Sequence, residues 1–65
     1  MKETYNEYER KLSTLIYEKT KGDIPEDMCL NLARVMNNRR QANVSGVANY
    51  TMEECAEIMI KNYYA

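Results

Sequence analysis

The chain has 65 residues, a formal net charge of −1 and no His, Trp or Phe. That length allows one domain with a small core, and the missing His excludes imidazole proton shuttles, His-based triads and His-ligated metals. Two Cys, 26 positions apart, exclude a CxxC redox pair and a four-Cys zinc site.

The first helix is predicted over about residues 2–20. Tyr5, Tyr8, Leu12, Leu15, Ile16 and Lys19 recur at helical spacing and form one stripe. Glu3, Glu7, Arg10, Lys11 and Glu18 lie off it, and Tyr17 points away. Glu7 and Lys11 stand four apart in the favourable order. Gly22 is expected at C′, ending the helix.

The second helix is predicted over about residues 24–41. Asp23 is the expected cap, Glu26 stands three residues later, and Pro25 sits in the first turn. Met28, Cys29, Leu32, Ala33, Val35 and Met36 fill a broad apolar arc. Leu30, Arg34, Asn37 and Gln41 line the opposite face.

Residues 43–50, NVSGVANY, carry no charge and read as a loop with its two Val against the bundle. The third helix, over about residues 52–64, opens on a capping box formed by Thr51 and Glu54. Met52, Cys55, Ala56, Met59 and Tyr63 form its central stripe, with Ile58 and Ile60 on opposite flanks. So wide an apolar arc implies a central helix or a second interface, hence an expected homodimer through the third helix. Three helices with short connections predict an all-α fold: a compact up-down-up three-helix bundle forming one domain, residues 1–65. Tyr17 and Tyr64 then lie at one end and Tyr5 and Tyr8 at the other, with rings packed and hydroxyls wet.

Charge is unevenly distributed. Residues 1–27 sum to −2, residues 28–52 to +3 and residues 53–65 to −2. The middle segment has no acid and holds Arg34, Arg39 and Arg40 among Asn and Gln, side chains suited to phosphates and base edges. A competing explanation is that Arg39 and Arg40 complement the negative end of helix two. An acidic pI near 5.3 also argues against a DNA-binding domain. Leu30 ringed by Arg34, Asn37 and Gln41 has the composition of a protein interface, although it also suits a wider core.

Each Cys falls on an apolar face, where thiols are small core residues. Neither has a base to activate it, and Glu26 and Glu54 nearby raise a thiol pKa. No phosphate-binding loop or EF-hand is present, so no cofactor, metal or catalytic residue is expected. The longest apolar runs are three or four residues, and the charged start lacks a signal-like apolar stretch; neither a membrane span nor export is expected, and the chain reads as cytoplasmic. Asn, Ile, Lys, Tyr and Met supply 27 of the 65 residues, a bias towards residues with AT-rich codons that suggests a low-GC bacterium or one of its mobile elements; a phage or mobile-element origin suits so small a stand-alone module.

The sequence therefore reads as a small non-enzymatic binding protein that regulates or inhibits a larger protein or complex. Leu30, Arg34, Asn37, Gln41, Arg39, Arg40, Tyr17 and Tyr64 are its expected partner-binding residues. The alternative is a small nucleic-acid-binding regulator using the acid-free basic middle.

Overall fold

The computed structural model describes residues 4–65. These form helices α1 (Glu7–Lys19), α2 (Glu26–Gln41) and α3 (Met52–Tyr64), with a 3-10 segment (Val44–Asn49) between α2 and α3. They make the expected all-α, up-down-up bundle. Tyr64, at the end of α3, donates a hydrogen bond to Asp23 in the α1–α2 turn, while Cys55 near its start lies beside Tyr8 of α1.

Helix α1 starts later than the periodicity suggests. Residues 4–6 are not helical, and the remainder of the predicted extension lies outside the described residues. Asn6 is the cap: its side chain accepts from the Glu9 N–H at 2.7 Å, and Glu9 accepts from the Asn6 N–H at 3.0 Å. Asn favours this role because its short polar side chain satisfies an orphan N–H better than it fits a helix interior. The Glu7–Lys11 pair forms, at 3.1 Å.

The helix ends in a Schellman motif, with the Gly22 N–H donating to the Tyr17 carbonyl and the Lys21 N–H to Glu18. Lys21, not Gly22, therefore occupies C′, at φ 53°. Gly22 follows at φ 80°, where an added Cβ would also come within 3.2 Å of the Tyr17 hydroxyl.

Asp23 does not cap α2. Pro25 occupies the cap position and has no side chain able to accept; Asp23 instead receives the Tyr64 hydroxyl. The turn leading into α2 is anchored by Ile24, which is fully buried.

The core consists of Leu12, Ile16, Ile24, Cys29, Ala33, Met36, Val47, Cys55, Ala56 and Met59, with Tyr8, Leu15, Leu32, Met52, Ile58 and Ile60 packed around it. Most of this matches the predicted stripes. Met28 and Val35 depart from them, at 37% and 42% exposed. The reason is rotational: α2 packs chiefly on α1, and turns Leu30, Arg34 and Asn37 inward rather than outward. Val47 is buried, whereas Val44 is exposed, so only one of the two loop valines seals the bundle. Tyr63 is also exposed and packs edge-on against the Tyr64 ring, 5.2 Å between centroids.

Candidate functional site

Six of the eight predicted binding residues fall into three environments, and Gln41 and Tyr64 stand apart from them. The first is a polar cluster between α1 and α2, built around Glu9. Glu9 is 5% exposed and accepts from the Asn37 amide at 3.1 Å, with the Arg34 guanidinium 3.5 Å away. Arg34 also donates to the Thr4 carbonyl and lies over the Tyr5 ring at 4.1 Å. Arg40 donates to the side-chain Oδ1 of Asn37 at 3.1 Å and stacks over Tyr8 at 4.2 Å. Such Arg–aromatic stacking adds cation–π attraction to the hydrogen bonds. Asn37 is thus enclosed, and Arg34 and Arg40 are engaged within the fold.

Burial pushes the Glu9 carboxyl up. The Asn6 N–H, the Asn37 amide and the Arg34 guanidinium outweigh it and hold the group below the usual carboxylate range. Glu9 stood out in neither the stripe nor the charge pattern. Its signal was the Asn6-x-x-Glu9 spacing, a capping box one turn inside the predicted helix start.

The second environment is a cleft of about 330 Å³ between α1 and α2, lined by Arg10, Ser13, Thr14, Tyr17, Glu26 and Leu30. Leu30 forms half-buried apolar floor, and the Tyr17 ring is exposed at the edge. Arg10, Ser13, Thr14 and Tyr17 follow one another at spacings of three, one and three, a helical stripe legible in the sequence. Ser13 and Thr14 both donate their hydroxyls to the Arg10 carbonyl.

The third environment holds Arg39, exposed in a second cleft with Val44, Val47, Tyr50 and Ile58. Gln41 and Tyr64 are exposed and lie towards opposite ends of α2, apart from these groups.

The chemistry of the remaining reactive groups follows from burial. Burial pushes the Cys29 thiol up, and the Glu26 and Asp27 carboxylates add to the shift; its Sγ lies 3.5 Å from the Ile24 carbonyl. Cys29 and Cys55 are both buried and unbridged. Among the described residues, no three His, Cys, Asp or Glu come together as a metal site. No helix among them is long and apolar enough to cross a membrane.

Two tyrosines are perturbed for different reasons. The Tyr64 hydroxyl is pushed up to about 12, chiefly because it donates to Asp23. Tyr8 also rises to about 12, chiefly by burial, with the Cys55 thiol beside it adding and Arg40 opposing. Its hydroxyl is enclosed without a hydrogen-bond partner, so it is not the wet hydroxyl expected of a bundle-end tyrosine. Phenolate absorbance should therefore show two late titrations. Asp23→Asn should move the Tyr64 step back towards its ordinary 10.0 and leave the Tyr8 step in place. A single titration unaffected by Asp23→Asn would contradict this assignment.

Comparison of the chain with protein-family models, with curated proteins and with solved structures finds no match.

Proposed function

We propose that the chain is a small, non-enzymatic, intracellular binding protein that regulates or inhibits a larger protein, which it grips through the Leu30–Tyr17 cleft. The observation that carries this reading is the meeting of Leu30 and Tyr17 in one concavity. An apolar floor and an aromatic edge, bordered by Arg10, Glu26, Ser13 and Thr14, have the make-up of a protein-interface anchor. Opposite charges at Arg10 and Glu26 suit a mixed polar rim on the partner better than a uniformly anionic one.

The nucleic-acid alternative loses ground because Arg34 and Arg40 serve the Glu9 cluster and the tyrosine rings. A phosphate footprint built on Arg39 alone would be weak.

Capture from lysate, scoring protein and nucleic acid separately, tests the reading. Wild type should retain a protein partner at raised salt. Leu30→Asp or Tyr17→Ala should lower retention at least tenfold while keeping the wild-type helical circular dichroism. Retention of nucleic acid that disappears with salt, and with Arg39→Ala, would favour the alternative. Two variants are needed because Leu30 is half-buried and its change can disturb packing, whereas Tyr17 stands at the surface.

A further inference from the structure

The outer face of α3 carries a separate arrangement. Tyr50, Glu54, Glu57, Ile58 and Lys61 line a depression of about 390 Å³. It adjoins the Arg39 cleft, with which it shares Tyr50 and Ile58. Glu54 and Lys61 are exposed, Ile58 is half-buried between them, and Tyr50 is 41% exposed. At about 100° per residue, Glu54, Ile58 and Lys61 fall within an arc of roughly 60° on the helix side away from Cys55, Ala56 and Met59. The strip reads acid, apolar, base along about 10 Å of helix.

That order is complementary to itself. When two such helices pair antiparallel about a two-fold axis near Ile58, each acid meets the other chain's base. A closed two-fold contact repeats every favourable pair twice. A partner of uniform charge would instead be repelled at one end of the strip. Glu57, also on this face, has Lys19 of its own chain at 3.6 Å, which relieves its approach to the axis. Exposed Val44 and Tyr50 at the flank supply further apolar surface.

We propose that this face is where a second copy of the chain docks, with Ile58 at the two-fold axis and Glu54 of each protomer against the partner's Lys61. The contact lies apart from the Leu30–Tyr17 cleft, whose lining residues it does not share.

Sedimentation equilibrium tests the proposal. At micromolar concentration the wild type should show a concentration-dependent mass approaching twice the 7.7 kDa protomer. Glu54→Lys and Lys61→Glu each turn two attractive pairs into two repulsive ones. At the usual strength of exposed pairs, each should weaken self-association by about 10–100-fold. Mixing the two variants restores both pairs, so a heterodimer should form at close to wild-type affinity. Glu54 also caps α3, so circular dichroism must show that Glu54→Lys remains helical. If it does not, Lys61→Glu and Ile58→Asp, each required to remain helical, take its place, and both must lower the mass. A monomeric wild type, a dimer indifferent to the single reversals, or two folded variants that do not combine would overturn the proposal.

Discussion

Glu9→Ala should destabilise the fold by about 2–3 kcal/mol, measured by urea unfolding. The change removes the acceptor of the Asn37 amide and of the Asn6 N–H, and takes away the carboxylate 3.5 Å from the Arg34 guanidinium. Asn37 is 2% exposed, so its amide has little water to turn to. The Arg34 share is discounted, because its side chain is 32% exposed and water can replace part of what is lost. Glu9→Gln keeps the shape and one acceptor, and should cost less.

The same residue sets an acid limit. Its carboxyl titrates lower in the folded chain than the ordinary value of 4.5. The unfolded state therefore binds the proton more readily, and stability falls as the pH drops. The contribution is complete above about pH 4.5 and is lost as the pH falls through the folded value. Glu9→Gln should flatten the acid side of the stability profile. An unchanged profile would show that Glu9 is not held as a carboxylate by these partners.

Leu12→Ala should cost about 3 kcal/mol or more, the usual range for a fully enclosed leucine. Leu12 is wholly buried, on the helix that packs against both others. A domain this small has total stability on the order of 3–10 kcal/mol. One such truncation therefore removes a large share of it, and its melting transition should shift by many degrees. Met36→Ala should be comparably damaging, whereas Val35→Ala, one position away, should cost under about 1 kcal/mol. That pair reads the rotation of α2 directly. Equal losses at Met36 and Val35 would mean that the arc centred between them is the true core face.

Much of this fold could be read from local chemistry. The Thr51–Glu54 capping box set the start of α3 to the residue, because both partners of the motif lie within four positions. Leu12 and Ile16 declared the buried stripe of α1 through spacing alone. The departures arose where a tertiary contact chose between locally similar options. On α2 the apolar arc was broad enough to rotate, and Glu9 settled it by drawing Asn37 and Arg34 towards α1. A strip of Leu, Arg and Asn that looked like an outward face lies against α1, with Asn37 buried and Leu30 and Arg34 half-buried. Asp23 was available as a cap until Tyr64, forty-one positions away, occupied its carboxylate. The candidate cleft was half legible: Leu30 and Tyr17 each stood out as misplaced apolar residues, but only the packing of α2 on α1 shows them sharing a concavity. Arg10, Ser13 and Thr14 passed unnoticed because a polar stripe on an amphipathic helix ordinarily faces water.

The measurement that bears most directly on the account is an amide spectrum of the isotope-labelled chain, recorded with and without its captured partner. Leu30, Tyr17, Arg10 and Ser13 should shift or broaden together at the lowest partner ratios, while Arg39 and Arg40 remain in place. Perturbations centred on Arg39 and Arg40 that leave Leu30 and Tyr17 untouched would contradict it.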